Sequence, residues 1–145
     1  MESMHNDNVL LKTENYMNVK KFEDLKVWQL ANKLSLEVSQ LVKTFPGNEK
    51  YDLASQMHRS ARSVPSEISE GFYRFHFNDK LTFYERARAS LGELRNHFGD
   101  ALAHKYIDIK QHRHFKIKMQ EIGYLLNRMM TNVRKARDKN DTQAV

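Results

Sequence analysis

The stretch FKIKMQEIGYLLNRMMTNVRKA, residues 115–136, decides the fold class. Its apolar residues fall at Phe115, Met119, Ile122, Leu126, Met129, Val133 and Ala136, in steps of three or four. That spacing keeps one helix face apolar and the rest polar. The same rhythm recurs in three upstream segments. The first runs through Val27, Ala31, Leu34, Val38, Leu41 and Phe45; the second through Ala54, Met57, Ala61, Val64 and Ile68; the third through Tyr84, Ala87, Leu91, Leu94, Phe98 and Ala101. Four such helices with short links bury their apolar faces against one another. The expectation is an all-α, antiparallel up-down four-helix bundle. A plain bundle has no obvious catalytic cleft, so function falls to its surface, its assembly or polar residues placed inside it.

Local signals place the ends. Helix one is expected from about Glu23 to Lys43, because Phe45-Pro46-Gly47 cannot continue it. Asn48 is the expected cap of helix two, from near Glu49 to Gly71. Pro65 lies inside that helix and removes the bond to the Ala61 carbonyl, yet the apolar stripe continues in phase, which predicts a kinked helix. Ser63, Ser66 and Ser69 offer hydroxyls near the weakened turn. Residues 72–77 contain Phe72, Tyr73, Phe75 and Phe77 and read as an aromatic loop. Such a loop can cap the bundle, form a subunit contact or stack on bases. Asn78 or Asp79 is expected to cap helix three, which runs to about His104. A tight link at Tyr106 to Asp108 leads to helix four, ending near Arg137. Residues 1–20 are expected to form a flexible tail, with a short strand or turn near Asn8 to Lys12, residues 21–138 the bundle, and residues 139–145 a frayed tail.

A chain of 145 residues suits one domain. Five glycines and two prolines leave too little turn material for an all-β fold. The absence of cysteine excludes disulfides and thiolate metal sites and fits a cytoplasmic protein. No apolar run approaches the roughly 18 residues of a membrane span, and the first twenty residues lack a signal-peptide core.

Charge is unevenly placed. From Lys105 to Arg137 there are nine basic residues and two acids, Asp108 and Glu121, a formal +7 against +6 for the whole chain. Such a field favours a polyanion such as RNA or DNA; equally, basic residues solvate an exposed helix face. The candidate phosphate contacts are Arg113, Lys116, Arg128, Arg134, Lys135 and Arg137, with Arg86, Arg88 and Arg95 as a second group.

Catalytic signatures are absent. A di-iron bundle needs Glu-x-x-His on two helices, and none occurs. His112 and His114 point to different sides of a helix, whereas His97 and His104 can share a face. There is no H-E-x-x-H, P-loop or G-x-S-x-G. No catalytic residue, metal or cofactor is expected. Glu67 and Glu70 are read as a paired carboxylate or, more strongly, as structural, with Glu70 anchoring an arginine. Arg59 and Arg62 can bridge to Glu93 or Glu85 across the bundle, or bind phosphate.

Three stretches carry a resemblance: FEDLKVWQLA at 22–31, RSARSVPSEISEG at 59–71 and FYERARASLGEL at 83–94. Together they resemble the four-helix-bundle proteins encoded by intervening sequences in bacterial 23S ribosomal RNA genes. That family is similar to the accessory variability determinant of diversity-generating retroelements. Trp28, Arg59, Pro65, Glu70 and Gly71 belong to the shared motifs. The chain departs at Glu67, where the family often has asparagine, and in the aromatic turn after Gly71. The resemblance implies a non-enzymatic homo-oligomer, commonly a pentamer, with RNA as a partner and a reverse transcriptase as another if retroelement-linked. Trp28, Leu36, Phe72, Phe75 and Phe77 are the candidate subunit contacts. The alternative is an adaptor that docks a protein partner without binding RNA.

Overall fold

A computed structural model describes residues 19–49 and 51–143. The expected strand or turn at Asn8 to Lys12 lies outside them. Four helices make up the fold: α1 (Lys26–Val42), α2 (Leu53–Tyr73), α3 (Phe77–Ala103) and α4 (Ile109–Gln143). Short 3-10 turns at Phe22–Asp24 and Gly47–Glu49 precede α1 and α2. Each helix packs on its neighbour in sequence and α1 closes onto α4, so the section is four-cornered and the bundle runs up and down. No described helix is long and apolar enough to cross a membrane.

The four stripes form the core. Every stripe residue is buried except Ala136, which is half-buried where α4 begins to outrun its neighbours. Tyr84, Phe98, Leu34, Met57 and Ile68 are among the largest side chains fully removed from water. Burial of this kind contributes about 1.5–3 kcal/mol per large apolar side chain.

The helix ends differ from the sequence expectations. Asn48 falls within a 3-10 turn, and Asp52 holds the N-cap position of α2 without a side-chain cap. The carboxylate that serves this end is Glu49: its Oε2 accepts from the Leu53 amide at 3.3 Å, and its Oε1 accepts from Tyr106 Oη at 2.8 Å. Glu49 thus ties the α1–α2 connection to the α3–α4 link. The helix α2 runs through Pro65 without a break. Around it Ser63 Oγ donates to the Arg59 carbonyl and Ser69 Oγ to that of Ser66.

The aromatic loop is shorter than expected. Helix α2 continues to Tyr73 and α3 starts at Phe77, leaving only residues 74–76 between them. Phe72 and Phe77 fold into helix ends and pack against the core. His76, not Asn78 or Asp79, stands at the N-cap, because so short a link requires extended backbone there. At the opposite end of α3, Lys105 has φ 61°, and the Lys105 and Tyr106 amides bond back to Leu102 and Ala101. This is a Schellman stop with lysine where glycine is usual. Helix α4 outlasts its expected end at Arg137 because nothing there breaks it; Thr142 Oγ1 donates to the Asp138 carbonyl in the added turn.

The α2–α3 corner is the tightest part of the fold. A Cβ built on Gly71 would lie 2.6 Å from Tyr84 Cε1, 2.9 Å from Cδ1 and 3.0 Å from Phe83 Cβ. Lys80 reaches back from α3, and its Nζ donates to the Gly71 carbonyl at 3.2 Å and the Phe72 carbonyl at 2.6 Å. The Gly71 carbonyl also accepts from the Arg74 amide at 3.3 Å, so Lys80 adds a second donor there and serves the Phe72 carbonyl at the end of α2. Burial lowers the Lys80 pKa below the ordinary lysine value.

Gly71→Ala should therefore destabilise the protein by about 1–3 kcal/mol, since the new Cβ would press on the fully buried Tyr84 ring. Gly99→Ala, where nothing lies within 4 Å of the new Cβ, should be neutral or stabilising by up to about 1 kcal/mol. Urea denaturation of the two variants checks this contrast.

Candidate functional site

Few polar side chains enter the core. Among the described residues Ser35, Ser60 and His97 are buried. Ser60 Oγ donates to the carbonyls of Gln56 and Met57. His97 Nε2 lies 3.3 Å from Glu93 Oε1, which also meets Arg59 at 3.6 Å. The Arg59–Glu93 pair is one of the arrangements that the sequence left open for Arg59, and both side chains remain largely exposed. His104 does not join His97; its ring contacts the Asp100 carbonyl and stacks on Tyr106. No group of three or more metal-ligating side chains occurs among the described residues. The candidate functional surface is therefore external.

The fold sorts the cations of α4 into two sets. One set ties helices together. Lys118 Nζ donates to both carboxylate oxygens of Glu37 on α1 at 2.6 Å, and His114 Nε2 lies 3.5 Å from the same group. Arg134 meets Glu85 on α3 at 3.3 Å, and Glu85 also holds Arg88 at 3.0 Å. Arg137 donates to Asn78 on α3 and to Asp138. The other set faces water. Lys110, Arg113 and Lys135 are exposed and Lys116 half-exposed, and none forms an ion pair with a described residue. Lys110, Ile117 and Tyr124 follow at two-turn steps, as do Arg128 and Lys135, so they line the side of α4 away from the core. Arg128 donates to Tyr124 Oη at 3.1 Å, with its guanidinium 5.7 Å from the ring centre.

The second group divides. Arg88 and Arg95 border a groove between α3 and α4 that Gln120, Tyr124 and Asn127 line from the other side. Arg86 lies elsewhere, 5.0 Å over the Phe83 ring, with Arg74 at 4.4 Å on the same ring. Beside it the Glu67 carboxyl is raised above the ordinary value by burial and by the charge of Glu70, against the pull of Arg86. Glu70 is exposed and makes no ion pair with a described residue.

Of the candidate subunit contacts, Trp28 and Phe72 are joined through the rings of Phe22 and Tyr73, with Phe22–Tyr73 at 5.8 Å and Tyr73–Phe72 at 5.4 Å. Trp28 and Pro65 border a hollow between α1 and α2, and Trp28 packs edge-on to Phe22 at 5.1 Å. Leu36 is 61% exposed on α1 and Phe75 is 90% exposed at the α2–α3 turn. Sequence reasoning missed Lys80, Glu49 and Glu37 as structural ties; their partners lie on other turns or helices, and no local spacing reveals them.

Residues 23–128 match the model of a family described as "23S rRNA-intervening sequence protein". The fold is similar to a crystal structure from Bacteroides thetaiotaomicron, a protein of unknown function from the S23 ribosomal protein family. The TM-score is 0.68 at 19% identity, covering 72% of this chain and 97% of that one. No curated protein matches the chain.

The α1–α4 clasp has a pH signature. Burial alone would raise the Glu37 carboxyl; the hydrogen bond and charge of Lys118, joined by His114, outweigh it and hold the group below 4.5. A depressed carboxyl contributes stability that is complete above about pH 5 and is lost as pH falls through the folded value. Glu37→Gln should cost about 1 kcal/mol at pH 7, and the deficit should shrink as pH falls through the lowered folded value of Glu37. Unfolding free energies of both proteins across that range provide the check.

Proposed function

The chain belongs to the 23S rRNA-intervening sequence protein family, and from that premise we propose that it is a non-enzymatic homo-oligomer that binds RNA through the basic outer side of α4. The supporting observation is the set of outward cations, Lys110, Arg113, Lys116 and Lys135, left without carboxylate partners among the described residues. Helix α4 holds nine basic and three acidic residues, a formal +6 equal to that of the whole chain. Such a surface contacts phosphates with little reading of base identity. The assembly, a pentamer on the family resemblance, would cover exposed apolar side chains such as Leu36.

A second reading has its own observation. Phe75, almost wholly in water beside exposed Tyr73, suits a docking point for a protein partner such as a reverse transcriptase. In that reading Phe75→Ala abolishes partner capture and RNA affinity is absent at physiological salt.

Under the RNA-binding reading, affinity falls with salt by a log–log slope of about −0.7 per contacted phosphate on a single strand. Arg113→Glu combined with Lys135→Glu should lower affinity about tenfold or more at roughly 0.1 M salt and make the slope shallower by about 1.4. Fluorescence anisotropy titrations measure both. An unchanged affinity in the double variant would remove α4 from the interface.

A further inference from the structure

We propose that the groove between α3 and α4 seats unpaired nucleotides of single-stranded RNA, an inference that rests on the RNA-binding reading and specifies it. The groove encloses about 430 Å³. A second hollow of about 280 Å³ extends it along α4 past Arg128 and Lys135, sharing Tyr124 and Asn127. No carboxylate lines either hollow, while Arg88, Arg95, Arg128 and Lys135 border them. From Met119 to Lys135 the lined length of α4 is about 24 Å, room for a short run of nucleotides.

Two facing glycines open this space. A Cβ on Gly92 would meet nothing within 4 Å, and one on Gly123 only Leu91 Cδ2 at 3.6 Å. Neither position requires glycine for helix approach, in contrast to Gly71. Helical glycine costs about 1 kcal/mol relative to alanine, so both positions sacrifice stability and leave an empty slot.

The lining suits a nucleotide part by part. The Tyr124 ring, 46% exposed and braced by Arg128, offers a stacking face. The amides of Gln120 and Asn127 present donors and acceptors to Watson–Crick edges, which only unpaired bases expose. Arg95, without an ion pair to a described residue, is free for a phosphate. Arg88 crosses the groove to Asn127 Oδ1 at 3.3 Å and stays tethered to Glu85. A second copy fits the slot less well, because a two-fold contact would set like cations against each other.

The test uses a fluorescein-labelled RNA strand, alone and annealed to its complement, with the full-length protein. Gly92→Leu fills the slot without changing charge, and its open surroundings let it fold. The expected result is a loss of about tenfold or more in single-strand affinity, with duplex affinity and salt slope unchanged. Tyr124→Ala should lose about tenfold on the single strand through lost stacking. Wild-type affinity in both variants overturns the groove and leaves the α4 reading standing. Equal loss on strand and duplex overturns the single-strand preference. Absence of binding by the wild type to either RNA overturns both readings. Self-association abolished by Gly92→Leu in light scattering assigns the slot to a second copy and overturns the inference.

Discussion

The contact of Gly71 with the Tyr84 ring is the constraint on which the remaining architecture depends. It brings α2 and α3 closer than any side chain at position 71 would permit. Lys80 then satisfies the last carbonyls of α2 from the facing helix. With this pair fixed, α1 lies on α2 and α4 on α3, and the bundle closes where Glu37 meets Lys118. The interior is filled by the four apolar stripes, so chemistry is displaced to the outside.

The same geometry sorts the charge. Lys118, Arg134 and Arg137 sit where α4 borders its neighbours and are taken up by Glu37, Glu85, Asn78 and Asp138. Lys110, Arg113 and Lys135 project from the opposite side and form no ion pair with a described residue. The formal excess seen in sequence is therefore only partly available to a partner, and what is available lies on one side of one helix. Arg88 and Arg95 join that side across the groove, whereas Arg86 belongs to a separate cluster around Phe83 and Glu67.

Helix identity and core were legible because apolar spacing directly reports which face is buried. From Val27 through Val133 every stripe position is in the core. Helix ends were less legible, since they depend on neighbours. Asn48, Asn78 and Asp79 have good capping chemistry but are not used, because Glu49 and the three-residue α2–α3 link set the register first. Phe72 and Phe77 read as loop by composition and fold into helix ends through core packing. For the candidate surface, the sequence showed which cations exist, but their partners lie up to 81 positions away, as in Lys118 and Glu37. The groove was invisible for the same reason: it is made by Gly92 and Gly123, which only the α3–α4 pairing brings together.

The central claim is an oligomer that carries RNA on its basic surface. It is tested most directly by light scattering after size exclusion on protein purified at low salt, with absorbance recorded at the nucleic-acid and protein maxima. The account predicts a defined oligomer with co-purifying nucleic acid that ribonuclease or high salt removes. A monomer free of nucleic acid would contradict it.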